Sequence, residues 1–400
     1  MGNRVIITKE IIQNRRYLVT ALFEDHRLAE VSCNAAGSKS LLGSIFIGKI
    51  KRIAKNAGAA FVEFAPGKTA YLPLAEVKEP LMVKQRRPGK LTEEDELVVQ
   101  VVKEAVKTKE PTVSTDITLT GQGLVFTLEN RTLGISKKLG KKEREYLRGL
   151  FSERKEDWYG LIVRTNAANY GEEQLLREFE DLYAGFSAIT GQYMHRTCYS
   201  CLYRAPSGYV CGIRDSLSLG LERIVTDDAE IYEELKEAFE ESISLQGGEI
   251  VLYEDKMLSL SALYGLKGKL EDALKERVWL KSGGYLVIQP TEALTVIDVN
   301  SGKCVKGVKH ELSLKINLEA AEEVARQLRL RNISGICVVD FINMDTEEEQ
   351  EKLVQSLKSY LAKDSVPAVF VDFTKLGLAE ITRKKVKKPL WEQVKEAKEG

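Results

Sequence analysis

Nowhere in the 400 residues do about eighteen apolar residues run together, so no membrane-spanning helix of ordinary length is expected. The opening MGNRVIITKE also lacks the apolar stretch of a secretory signal, and the expected location is the cytoplasm. Net charge is absent too: 59 basic residues balance 59 acidic ones, which argues against a polycation that coats nucleic acid indiscriminately. A nucleic-acid site must therefore be a local patch. Cysteine is sparse, at positions 33, 198, 201, 211, 304 and 337, too scattered for the disulfide framework of a small secreted domain, so reduced thiols are expected. Internal repeats and low-complexity linkers are lacking as well. With 44% hydrophobic residues the chain can bury a large core, and its length suggests about two to four domains.

What the chain does have is concentrated between Leu294 and Met344. Leu294, Val296 and Ile297, then Ile336, Cys337, Val338 and Val339, form near-continuous β-favouring runs that suit strands covered on both faces. Each run ends in a carboxylate, Asp298 and Asp340. Between them Leu318, Ala321, Val324, Ala325 and Leu328 recur at helical spacing, with Glu319, Glu322, Glu323, Arg326 and Gln327 on the other side. Glu322 and Arg326 stand four apart in the favourable order. The interval between the aspartates accommodates a helical crossover, so the strands can run parallel and present both carboxylates at one sheet edge.

Two carboxylates at one edge suit a divalent metal. Mg²⁺ takes a few carboxylate oxygens plus waters and substrate phosphates, and it activates a bound water while neutralising phosphoryl charge. Asn300 would point to the same side as Asp298 and orient a water or a phosphate. Gly302 would let the backbone approach a substrate closely. The competing reading is that both aspartates merely end strands and cap turns. Periodicity leaves that choice open.

The blocks TEALTVIDVNSGK, NLEAAEEVARQLRLR and GICVVDFINM, in this order and spacing, closely resemble the catalytic segment of the ribonuclease E/G family of bacterial endoribonucleases. The resemblance implies that Asp298 and Asp340 bind Mg²⁺, with Mn²⁺ as a substitute, and that Asn300 assists catalysis. Many members carry aspartate where this chain has Asn343. The resemblance also implies an α+β and α/β multidomain fold. Residues 1–38 and 210–272 would form an RNase H-like platform, with an OB-fold RNA-binding barrel (39–115) and a 5′-sensor region (116–209) inserted into it. A DNase I-like catalytic domain (273–384) and a basic tail (385–400) would follow. Residues 1–38 read as a hairpin turning near Asp25 and His26, and DDAEIYEELKEAFEES as an acidic helix.

From Gly43 to Leu74 short alternating strands carry aromatics among cations, including Lys49, Lys51, Arg52 and Lys55. Such barrels stack bases on rings while cations follow the backbone. By resemblance, Phe61 and Tyr71 would meet bases and Lys103 and Lys109 would lie near the RNA backbone. Read alone, Phe61 belongs inside the barrel and the lysines are solvated. Further basic patches are Lys84 to Lys90, Lys137 to Lys142, and the stretch from Lys375, where eight Lys/Arg face four Glu. The run GLIVRT ends in Arg164 and Thr165, a pairing suited to a terminal phosphate. It matches the family's sensor of a 5′-monophosphate, in which Gly121 and Val125 would pack the terminal nucleotide.

Cys198 and Cys201 form the chain's only CxxC, beside His195. A zinc site takes roughly four ligands, so Cys211, His195 or a second subunit would have to join. Many relatives share one zinc between subunits through a cysteine pair after the catalytic domain. No cysteine follows Asp340 here, so a homodimer rather than a tetramer is expected. The resemblance as a whole implies an endoribonuclease that hydrolyses single-stranded messenger and ribosomal precursor RNA to 5′-phosphate and 3′-hydroxyl ends. An RNA-binding scaffold without catalysis and a DNA nuclease are the competing classes.

Overall fold

In the computed structural model, which describes residues 2–35, 40–105, 110–302, 309–344 and 346–395, the chain divides into two units. One comprises 1–38, 223–236 and 250–400, the other 39–222 and 237–249. Both mix helices and strands, in keeping with the expected fold class.

The first unit opens on three antiparallel strands, Asn3–Ile12, Arg15–Glu24 and Arg27–Ala35. Two tight turns join them, with Gln13, Asn14 and Asp25 at positive φ. The turn at Asp25 and His26 is the expected one. The earlier turn carries no glycine or proline to mark it, so the expected hairpin is in fact three strands. Leu221–Thr226 and Glu249–Leu252 extend the sheet to five strands. Between those two strands the acidic segment forms the helix Ala229–Leu245.

A six-stranded sheet occupies the rest of this unit. Its spatial order is Arg277–Trp279, Tyr285–Pro290, Leu294–Asn300, Gly335–Asp340, Ala379–Arg383 and Ala368–Phe373. The Asp298 and Asp340 strands run parallel, as the crossover length predicts, and every other pairing is antiparallel. On one face Leu286, Ile297, Val339 and Ile381 pack in one core with Ile316, Ala320 and Val324 of the helix Lys309–Leu330 and with Leu353 and Leu357 of the helix Glu347–Leu361. The expectation that both faces are covered is corrected. Val296, Ile336, Val369 and Val371 alternate onto an uncovered face.

The Lys309–Leu330 helix corrects a second expectation. Glu323 and Gln327, read as its solvent side, are buried, because the helix also packs against the Arg27–Ala35 strand. Arg326 donates to Glu323 and to the Leu28 carbonyl, Gln327 donates to Glu323 at 2.7 Å, and Arg27 pairs with Glu323 and, at 3.5 Å, with Glu322. Arg326 thus pairs with Glu323, three residues away, rather than with Glu322. The segment expected as a basic tail is partly folded in: Leu390–Lys395 is helical, Leu390 and Val394 are buried, and the Tyr17 hydroxyl donates to the Val394 carbonyl at 3.0 Å.

In the second unit the strands Ile45–Ala54, Ala59–Ala65, Lys68–Pro73, Thr112–Ser114 and Glu96–Lys103 close into a five-stranded barrel, the last pairing with the first. This is the OB-like domain expected from the alternating pattern. Phe46, Val62, Phe64, Leu72 and Val99 fill it. At Gly48 a Cβ would stand 2.4 Å from a Val62 methyl, so the packed wall requires glycine there. A four-stranded sheet follows, ordered Thr118–Thr120, Leu124–Thr127, Gly160–Val163, Leu133–Ile135. The helix Glu172–Gln192 packs on it through Phe179 and Phe186, whose rings meet Phe126.

Candidate active site

Asp298 and Asp340 are direct register partners across the parallel pair, both on the uncovered face and both exposed. Alternation puts them there: Ile297 and Val339 point into the core, so the next residue on each strand points out. The Asn300 amide donates to an Asp298 carboxylate oxygen at 2.6 Å, which leaves its carbonyl oxygen available as an acceptor or ligand. The donor set of two carboxylates and one amide oxygen, open to solvent, fits a hard cation that keeps most of its waters. Any third carboxylate is lacking at Asn343 by sequence. Among the described residues no cluster of three or more His, Cys, Asp or Glu is placed to hold a metal.

Two supports of this edge escaped the sequence reading. Asn317, fully buried on the central helix, donates to the Ile342 carbonyl at 2.7 Å and accepts from its N–H at 3.0 Å, pinning the chain just beyond Asp340. Glu319 accepts from the N–H groups of Lys281 and Ser282 and so holds the turn between the first two strands. That turn explains Gly302. With φ of 63° and its Cβ position 2.3 Å from the Gly283 carbonyl oxygen, Gly302 is required by protein backbone rather than by a substrate. Cys337 behind the strands is inert packing, its thiol pushed up to about 12 by burial.

On the barrel, Phe61 sits between inward Ala60 and Val62 and faces outward, half-buried, so the interior placement is corrected. Arg52, Phe61, Tyr71, Thr112 and Lys103 form one rank across four neighbouring pairings of the wall. The Arg52 guanidinium lies 4.5 Å from the Phe61 ring centre, and the Phe61 and Tyr71 rings meet edge-on at 6.1 Å. Cations at both ends with rings between suit a single strand laid across the rank. Lys49 and Lys51 are tied to Glu94 and Glu63, and the Lys49 pKa is raised, chiefly by the Glu94 charge. Lys109 lies outside the described residues.

The expected sensor residues come together. Gly121 and Val125 flank a tight turn in which the Gly121 N–H donates to Leu124, and the Arg164 N–H donates to Gly123 at 2.7 Å. The Arg164 guanidinium donates to the Gly121 carbonyl at 3.0 Å and pairs with Asp215 at 2.7 Å. The Thr165 hydroxyl lies 2.8 Å from that of Ser136. Asp215 and Glu178 were not anticipated. Glu178 receives the N–H groups of Gln122 and Gly123, and burial pushes its carboxyl pKa up despite those bonds. A Cβ at Gly121 would fall 2.2 Å from a Glu178 oxygen and 2.8 Å from a Leu182 methyl, so a larger residue there would push the Glu178 carboxylate aside.

Of the expected CxxC pair, Cys198 is half-buried and Cys201 exposed. Among the described residues no third His, Cys, Asp or Glu is placed with them to hold a metal, and burial pushes the Cys198 thiol pKa up.

Comparison with known proteins bears on all three regions. Residues 118–386 match the model of the Ribonuclease E/G family. Ribonuclease G of Haemophilus influenzae is 33% identical over 382 residues, covering 92% of this chain and 78% of that protein. The chain belongs to the ribonuclease E/G family. Ribonuclease E of Synechocystis sp. is 32% identical over 393 residues, covering 96% of this chain and 58% of that longer protein. Ribonuclease G of Escherichia coli K12 is 31% identical over 376 residues, covering 91% of this chain and 76% of that protein. The candidate catalytic residues Asp298, Asn300 and Asp340 and the expected sensor residues Gly121, Val125, Arg164 and Thr165 all fall within the family match. No helix among the described residues is long and apolar enough to cross a membrane.

Proposed function

We propose that this endoribonuclease is Mg²⁺-dependent and hydrolyses single-stranded RNA internally, leaving 5′-phosphate and 3′-hydroxyl ends, in the processing and decay of messenger and ribosomal precursor RNA in the cytoplasm. The observation that carries the reading is the register pairing of Asp298 with Asp340 on an open sheet face. Family membership supports the enzyme class. The two carboxylates and the Asn300 carbonyl oxygen would hold the cation, or Mn²⁺ in its place. When bound, it would stabilise charge on the phosphoryl oxygens and make a water more acidic.

The chain's own groups do the rest. Asn300 orients the Asp298 carboxylate through its amide. The water oxygen bonds to phosphorus, the bond from phosphorus to the 3′ oxygen breaks, and a proton ends on that oxygen. The Arg52–Phe61–Tyr71–Lys103 rank seats the strand by stacking and charge. Arg164 and Thr165 bind a 5′-monophosphate by charge-assisted hydrogen bonds, with the phosphate displacing Asp215 from the guanidinium. The RNase H-like and DNase I-like assignments of the five- and six-stranded sheets, and a homodimeric assembly, belong to the same reading.

The test incubates a 5′-monophosphorylated single-stranded oligoribonucleotide and Mg²⁺ with the parent, Asp298→Asn and Asp340→Asn. Internal cutting by the parent, lost in both variants with RNA binding retained, is the expected result. Equal cutting by all three proteins would overturn it, and binding without cutting by the parent would favour a scaffold.

A further inference from the structure

The uncovered face of the six-stranded sheet carries more than the carboxylates. Trp279 is 63% exposed on the edge strand, although a ring of that size normally buries most of its surface. Its position is constrained. The Trp279 and Tyr285 ring centres are 5.2 Å apart, and the Arg277 guanidinium lies 4.5 Å from the Tyr285 ring centre and 5.8 Å from that of Trp279.

Register ties this cluster to the candidate active site. One rank across the sheet reads Arg277, Val287, Asp298, Asp340, and the next reads Trp279, Tyr285, Asn300. Register partners share a face, so Arg277, Trp279 and Tyr285 project to the same side as Asp298, Asn300 and Asp340. Neighbouring strands lie about 4.8 Å apart, which puts the Arg277 backbone about 10 Å from that of Asp298. A nucleotide flanking the phosphate to be cut can span that distance.

We propose that Trp279, steadied by Tyr285 and Arg277, is a base-stacking subsite for the RNA nucleotide next to the scissile phosphate. This rests on the reading of Asp298 and Asp340 as the catalytic pair. The occupant is single-stranded RNA rather than a protein surface, because the patch combines an exposed π-face with a cation and continues into a site for phosphoryl chemistry. The base lies on the outward face of Trp279, and Arg277 meets the phosphate on its far side. Every base offers a π-face, so the subsite accepts any base and discriminates against none at all.

The test uses the full chain and an oligoribonucleotide with one cleavage site, in which each nucleotide flanking the cut is made abasic in turn. On the intact substrate Trp279→Ala should raise KM about ten-fold, and Trp279→Phe should restore most of the loss. At one flanking position the abasic substrate should cost the parent the same factor and cost Trp279→Ala nothing further, as two halves of one contact require. In parallel, 2-aminopurine at that position should be quenched on binding to Asp298→Asn, and not on binding to Asp298→Asn with Trp279→Ala. Equal penalties from Trp279→Ala on intact and abasic substrates at every position, or unchanged quenching, would overturn the subsite while leaving the carboxylate reading intact. A parent that binds and quenches without cutting would overturn the catalytic reading, and with it the adjacency to a scissile bond.

Discussion

Asn317 and Ile342 exchange two hydrogen bonds, amide to carbonyl and backbone N–H to amide oxygen, across the gap between the central helix and the segment leaving the Asp340 strand. The clasp is fully satisfied only by a carboxamide. Asn317→Ala would leave a backbone donor and acceptor without partners near the core, costing about 2–4 kcal/mol of stability. Its effect on catalysis should fall on kcat more than on KM, and Mn²⁺ affinity at the carboxylate pair should drop several-fold. Chemical denaturation, steady-state kinetics and Mn²⁺ titration check these together. Weakened stability with unchanged metal affinity would reduce Asn317 to a packing residue.

Glu323 sets an acid limit. Its burial raises the pKa, but hydrogen bonds from Arg326 and Gln327 and the nearby Arg27 charge outweigh burial, and the net shift is downward. A depressed folded pKa stabilises the fold above the ordinary glutamate value of about 4.5 and loses that contribution as pH falls through the folded value. The melting temperature of the parent should therefore fall as pH drops below that region. Glu323→Gln should be less stable at neutral pH by on the order of 3 kcal/mol and flatter in acid. Thermal melts across the acid range decide it.

On the barrel, Phe61→Ala and Tyr71→Ala should each weaken binding of a short single-stranded RNA about five- to ten-fold, because each removes one stacking platform. Binding measured by fluorescence anisotropy should show this with the melting temperature nearly unchanged, since both rings lie on the outer wall. Lys103→Ala should reduce the salt dependence of binding without altering base preference.

Arg164→Ala should reduce the preference for monophosphate over hydroxyl 5′ ends, read as the ratio of kcat/KM for the two substrates. Asp215→Asn, which removes the anion competing for the same guanidinium, should increase that preference. Indifference of the parent to its 5′ end would remove the sensor assignment.

Much of this architecture could be read from residue order. The parallel pairing of the aspartate strands follows from their spacing and the amphipathic helix between them, and the barrel follows from alternation. The uncovered face of the six-stranded sheet could not be read. A run such as Ile336 to Val339 looks the same whether one face is covered or two. Glu323 and Gln327 misled for a related reason, because their burial depends on Arg27 and the Leu28 carbonyl, almost three hundred residues earlier. Phe61 was decidable in principle, since Ala60, Val62 and Phe64 mark the inward parity. The Arg277–Trp279–Tyr285 cluster needed strand register, which no local pattern encodes.

The account depends most on Asp298 and Asp340 acting as one cation site. Titration of Mn²⁺ followed by electron paramagnetic resonance on the parent, each single asparagine variant and the double variant tests this directly. Each single variant should lose nearly as much affinity as the double, because two ligands of one ion are not additive. Mn²⁺ affinity unchanged in both single variants would contradict the account.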